Sequence, residues 1–128
     1  MKRIRVVCAA IVRNGKLFAA QRGYGEYKNW WEFPGGKVED GESETETVIR
    51  ELSEELGIAV EPVERIGTAE KDYPEFHLSL TCYVCRPVAG EPELREHEAA
   101  RWVSKEEMYS LHWLPADLEL LPGVEKYL

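Results

Sequence analysis

Long apolar runs are missing from this sequence, and so is any excess of positive charge. No stretch approaches the roughly 20 consecutive apolar residues that a membrane helix needs, which argues against a membrane partner. Lys and Arg total 16 against 24 Asp and Glu, a formal net charge of −8. Nucleic-acid binders carry a basic footprint, so this balance argues against a nucleic-acid partner. It does not exclude a small phosphorylated substrate, because bound divalent cations can supply the missing positive charge. Cysteine is scarce: Cys8, Cys82 and Cys85. An odd count favours free, buried thiols in a reducing compartment. Cys82 and Cys85 have C-x-x-C spacing, but they sit in Leu78-Ser79-Leu80-Thr81-Cys82-Tyr83-Val84-Cys85, which reads as a strand. Residues three apart on a strand point to opposite faces, and no second Cys or His pair completes a zinc set. The opening residues alternate like a strand and lack a signal-peptide cleavage site, so a cytoplasmic location is expected.

What is present reads as one domain over residues 1–128, monomer or homodimer. The hydrophobic fraction is 44% and the charged fraction 31%, ordinary for a globular protein. Residues 4–12 are rich in Val, Ile and Ala, as a buried strand should be. Asn14-Gly15 then signals a hairpin turn, with the returning strand near residues 17–20. Residues 23–29 form a polar loop, residues 30–33 are aromatic and extended, and Pro34-Gly35-Gly36 reads as a break. Ser43-Glu44-Thr45-Glu46 has the form of a capping box. The helix it opens is expected to run to about Leu56, with Gly57 as its left-handed C-cap and Val48, Ile49, Leu52 and Leu56 as its apolar stripe. Further strands are expected near residues 63–69, 78–86 and 101–103. A second capping box, Ser104-Lys105-Glu106-Glu107, opens a short helix. A last helix begins near Pro115, and Pro122-Gly123 should end or kink it early. The fold class is α/β or α+β, a mixed sheet with one long helix and short ones near the C-terminus.

The first helix carries Glu51, Glu54 and Glu55. At about 100° per residue they share roughly 100° of arc. Three like charges on one flank repel, by a few tenths of a kcal/mol per pair on a bare helix. A solvated acidic face would tolerate that. Hard divalent cations with oxygen ligands, Mg²⁺ or Mn²⁺, would offset it. Arg50 is spaced to pair with Glu54 at i,i+4, and the Gly-Gly turn before the helix brings backbone close to any ligand.

Gly36, five residues, Glu42, seven residues, then Arg50-Glu51-Leu52-Ser53-Glu54-Glu55-Leu56-Gly57-Ile58 matches G-x5-E-x7-R-E-U-x-E-E-x-G-U, U being bulky and apolar, at every defined position. In this the chain resembles the Nudix hydrolases. Trp31-Glu32-Phe33-Pro34-Gly35-Gly36-Lys37 before the box, and Gly90-Glu91-Pro92 and Arg101-Trp102-Val103-Ser104 after it, are similar to the MutT branch and the related CTP pyrophosphohydrolases.

The resemblance implies the Nudix fold, an α/β/α sandwich around a mixed sheet, and hydrolysis of a nucleoside diphosphate linked to another moiety. In MutT-like members the products are a nucleoside monophosphate and pyrophosphate. It implies Glu54 and Glu55 as metal ligands with the Gly35 carbonyl, and Glu51 as ligand or general base. Glu42 and Arg50 would brace the loop and helix. In the loop beyond the box it points to Glu96 rather than Glu98, with His97 as a neighbour; His77 and His112 read as structural. Arg22 and Lys37 would contact phosphate or base, or stand as solvated surface charge. Within the segment from Glu32 through Pro34, Phe33 would be a wall or stacking residue for the base, and Asp117 its hydrogen-bonding partner, where MutT has Asn. Candidate substrates are oxidised dGTP, CTP and related pyrimidine nucleotides. Branches acting on dinucleoside polyphosphates or ADP-ribose carry Tyr or Pro about 16 positions past the box, near Tyr73 and Pro74. A non-catalytic nucleotide sensor would lack a box glutamate, and this box is complete.

Overall fold

A computed structural model describes residues 2–128. Its elements are β1 (Lys2–Arg13), β2 (Lys16–Arg22), β3 (Trp31–Glu32), β4 (Gly35–Lys37), α1 (Glu44–Leu56), β5 (Ala59–Asp72), β6 (Phe76–Ala89), β7 (His97–Val103), α2 (Lys105–Met108) and α3 (Pro115–Val124), with a closing 3₁₀ turn at Glu125–Tyr127. The sheet is mixed, in the order β3-β2-β1-β6-β5, with β4 paired to β1 and β7 to β2. β1 runs parallel to β6 over residues 2–11. On its other edge β1 meets β4 at residues 6–8 and β2 only at residues 12–13. The tight turn between β1 and β2 has left-handed backbone at both Asn14 and Gly15, the geometry the hairpin signal demands.

Side-chain alternation along the strands builds two cores. Val7, Ala9 and Ile11 of β1, Phe18 and Ala20 of β2 and Cys85 of β6 face α1, where they bury Val48, Leu52 and Leu56. Cys8, Ala10, Leu17, Ala19, Leu80, Cys82 and Val84 face the other way, against Met108, Trp113, Ala116, Leu120, Leu121 and Val124 from α2, α3 and their approach. The result is an α/β/α sandwich, as the sequence led us to expect. Cys82 and Cys85 lie in opposite cores, and all three cysteines are free and buried. Among the described residues no helix is long and apolar enough to cross a membrane.

Three expectations need correction. Pro34-Gly35-Gly36 is not a simple break: Gly35 and Gly36 begin β4, and the Ala9 N–H donates to the Pro34 carbonyl at 2.8 Å. Ile49 is exposed, and Thr47 takes its place on the buried face of α1. α3 continues through Pro122 to Val124. The carbonyl that Pro122 leaves without an N–H belongs to Leu118, one turn earlier. Both residues are exposed, so water can serve it.

Candidate active site

The carboxylates Glu51, Glu54 and Glu55 are carried by α1. Ser43 caps its start: the Glu46 N–H donates to Ser43 Oγ, and the Glu46 carboxylate accepts from the Ser43 N–H, closing the capping box. Gly57 ends it at φ 67°, ψ 24°, a left-handed conformation that costs glycine nothing. Between them Arg50 gathers the acidic residues. Its Nε donates to Glu42 Oε2 at 2.6 Å and its Nη2 to Glu42 Oε1 at 3.0 Å. Its Nη1 reaches Glu51 Oε1 at 2.9 Å and Glu54 Oε2 at 3.2 Å, and Nη2 also reaches the Lys37 carbonyl at 3.2 Å. The Glu42 carboxyl, bound first by Arg50 and then by the Thr47 hydroxyl, is held down at about 2.

The Glu51 carboxylate sits where a side chain on Gly36 would have to go, so β4 and α1 approach this closely only because residue 36 has no Cβ. Burial and the charges of Glu54 and Glu96 raise the Glu51 proton affinity, against the pull of Arg50. Glu55 is pushed further, up to about 8, first by burial and then by the charges of Glu51 and Glu96. Its Oε2 is buried with no hydrogen-bond partner among the described residues.

Glu55 and Glu96 line a cavity of about 350 Å³. Its lining also includes Gly35, Gly36 and Lys37, the apolar side chains of Val6, Cys8, Phe33, Leu78, Leu80 and Leu114, and Asp117. Asp117 Oδ2 accepts the Phe33 N–H at 2.8 Å. Burial pushes the Asp117 carboxyl up to about 7, the Phe33 N–H opposing and the Glu32 charge assisting. Phe33 packs on Trp113 with ring centroids 5.0 Å apart. Glu32 is clamped between Arg22 Nη2 at 2.8 Å and His97 Nε2 at 3.0 Å. Burial would raise its proton affinity, but those two bonds outweigh it and hold Glu32 below the ordinary carboxylate range. A second cavity of about 340 Å³ shares Arg22, Lys37, Leu78, Leu114 and Asp117 and adds the rings of Tyr27, Tyr73 and Phe76.

The family model described as NUDIX domain matches residues 1–123. The chain belongs to the Nudix family. It is 38% identical to the CTP pyrophosphohydrolase of Escherichia coli over 122 residues, 94% of this chain and 90% of that protein. It is 33% identical to the 8-oxo-dGTP diphosphatase of the same organism over 107 residues, 81% of this chain and 82% of that one. The crystal structure of a MutT Nudix hydrolase from Burkholderia pseudomallei superposes with a TM-score of 0.87 at 28% identity, covering 97% of this chain and 99% of that one.

Nudix hydrolases generally depend on a divalent metal, and the oxygen donors here suit one. Glu51, Glu55 and Glu96 crowd their charges on one another, and Glu55 keeps a buried oxygen unspent. Hard cations take such donors. Among the described residues no three acidic, His or Cys side chains already close on one point; Glu54 is turned toward Arg50. Of the residues singled out in the sequence, Arg22, Glu32, Phe33, Gly35, Gly36, Lys37, Glu55, Glu96 and Asp117 line the main cavity. Pro34 is buried and does not line it, nor do Glu51, Glu54, Arg50, Glu42 and Gly57 of the Nudix helix and loop. Arg22 pairs with Glu32 through Nη2 at 2.8 Å, and its Nε is buried with no hydrogen-bond partner among the described residues. Sequence reasoning missed Val6, Tyr24, Leu78, Leu80 and Leu114 as cavity walls. It passed over His97 as a mere neighbour, although a histidine beside a buried glutamate could have been read as a pair.

Proposed function

We propose that this Nudix hydrolase is a metal-dependent nucleoside triphosphate pyrophosphohydrolase, converting an NTP or dNTP and water to the nucleoside monophosphate and pyrophosphate. The supporting observation is one cavity with two chemically different kinds of lining. One is acidic, Glu55 and Glu96, with the charge of Glu51 against Glu55. The other is an apolar wall with one buried titratable group, Asp117. Triphosphate belongs at the first and base at the second.

In this reading Glu51, Glu54, Glu55, Glu96 and the Gly35 carbonyl hold Mg²⁺ or Mn²⁺. A metal held there would supply charge neutralisation for the phosphates and a lower pKa for the attacking water. Glu51 or Glu96 takes the proton of that water, whose oxygen attacks phosphorus at the scissile anhydride. The anhydride P–O bond between the α- and β-phosphoryl groups breaks, and the nucleoside monophosphate leaves when attack is at the β-phosphorus. Lys37, exposed at the rim, meets phosphate. Arg50 and Glu42 keep the carboxylates oriented. The relatives named for CTP and for 8-oxo-dGTP support both as substrates. A cytoplasmic location fits a nucleotide hydrolase.

The test is pyrophosphate release over a panel of ribo- and deoxynucleoside triphosphates, including 8-oxo-dGTP and CTP, with Mg²⁺. ADP-ribose and dinucleoside polyphosphates serve as the competing class. Turnover confined to that class would replace the reading.

A further inference from the structure

Glu96 stands in the segment 90–96 that precedes β7, and its two neighbours anchor it from opposite sides. His97 reaches Glu32 at 3.0 Å, with its side chain 6% exposed. Arg95 turns the other way, onto the C-terminal end of α1. Its Nη1 donates to the carbonyls of Ser53 at 3.3 Å and Glu54 at 3.2 Å, and its Nη2 pairs with Glu93 at 2.9 Å. The Glu93 N–H adds a bond to the Leu56 carbonyl at 2.8 Å.

The last turn of α1 has no basic residue of its own, so Arg95 supplies the cation that the helix C-terminus favours. It is more than a cap. The Ser53 carbonyl already accepts the Gly57 N–H at 3.0 Å, so Arg95 rescues no orphan there. What it adds is a tether between the segment carrying Glu96 and the helix carrying Glu51, Glu54 and Glu55. The tether works against a repulsion. Glu96 lines the same cavity as Glu55 of the helix, carboxylate facing carboxylate. Like charges push the segment away, and Arg95 draws it back to the helix.

We infer that Arg95 is a positioning residue that holds Glu96 against α1, so that the loop carboxylate and the helix carboxylates act on the same metal. This rests on the metal reading of Glu96 proposed above. The test is Mn²⁺ binding to the whole protein, read as free Mn²⁺ by electron paramagnetic resonance, for wild type, Arg95→Ala, Glu96→Gln and the double variant. Loss of a group that orients a ligand typically weakens metal binding by about tenfold or more. Arg95→Ala should therefore raise the Mn²⁺ Kd by about tenfold, Glu96→Gln by at least as much, and the double variant no further than Glu96→Gln alone. A wild-type Kd in Arg95→Ala, or two losses that multiply in the double variant, overturns the positioning role. A wild-type Kd in Glu96→Gln overturns the assignment of Glu96 itself, and the role of Arg95 falls with it.

Discussion

Arg50 grips Glu42 with two prongs, Nε to Oε2 at 2.6 Å and Nη2 to Oε1 at 3.0 Å, across the loop that joins β4 to α1. A planar guanidinium suits this two-point contact and an ammonium does not. The same guanidinium holds Glu51 and Glu54, so the Nudix loop and the acidic flank of the helix share one cation.

That pair gives a pH-dependent signature. The Glu42 carboxyl lies at about 2, below its ordinary 4.5, because Arg50 and then Thr47 bond its ionised form. A depressed carboxyl stabilises the fold fully above its unfolded value and loses that contribution as pH falls through the folded one. Glu42→Gln should therefore melt below wild type at pH 6–8. The gap should narrow as pH drops from about 4.5 toward about 2. Thermal melts across that range check it, and a gap independent of pH would rule out the ion pair as its source.

EDTA should abolish turnover, and Mg²⁺ or Mn²⁺ should restore it; full activity without metal would sink the mechanism. Glu54→Gln and Glu55→Gln should each lower kcat by ~10²-fold or more, since each removes an interaction with developing charge. Stability should not follow activity. Burial and the charges of Glu51 and Glu96 raise Glu55 to about 8, so in metal-free wild type its contribution to stability declines as pH rises from about 4.5 to about 8. Gln at that position is neutral throughout. Metal-free Glu55→Gln should melt at or above wild type at pH 8–9 while being nearly inactive. Losses below tenfold in both variants would return the helix to a solvated acidic face.

Much of this was legible because it is local. Ser43, Gly57 and the spacing of Val48, Leu52 and Leu56 determine α1 from within its own 13 residues and their caps, and Asn14-Gly15 determines its own turn. What was not legible depends on distant partners. β4 is a strand only because residues 6–8 of β1 offer it an edge. β5 and β6 extend each other to 14 residues apiece, and β5 accommodates Pro62 at a register shift on the sheet's outer edge. The acidic half of the site was readable as a contiguous motif. Its apolar half comes from single side chains on β1, β6 and the approach to α3, and no spacing rule brings those together.

The scissile bond can be located directly. Attack at the β-phosphorus of a triphosphate puts the water oxygen in pyrophosphate, as resemblance to MutT implies. Turnover in ¹⁸O water, followed by mass spectrometry of both products, should find the label in pyrophosphate. Label confined to the monophosphate would show attack at the α-phosphorus.

Asp117 allows the sharpest test of base recognition, because the structure separates capping from base reading. It does not act as the helix cap: the N-cap of α3 is Leu114, with no side-chain capping bond. It accepts the Phe33 N–H from 84 residues away, and is 5% exposed. Asp117→Ala leaves that N–H buried and unpaired, which costs about 1–3 kcal/mol. Asp117→Asn keeps an acceptor for it and changes only what the rest of the group presents to the cavity. Burial places the Asp117 carboxyl at about 7, so near neutral pH it exists both as an acceptor and as a donor. A raised carboxyl costs the fold stability as pH climbs from its unfolded value to its folded one. Asp117→Asn escapes that cost, so its melting temperature should gain on wild type between pH 4 and pH 7 and then level off. A buried hydrogen-bonding group discriminates strongly because a mismatched base leaves it unpaired. Asp117→Asn should therefore reorder the nucleotide substrates by kcat/KM. It should also flatten any change of that order with pH across neutrality. An unchanged ranking, together with the expected shift in melting, would make Asp117 a brace for Phe33 and move base recognition to other walls of the cavity.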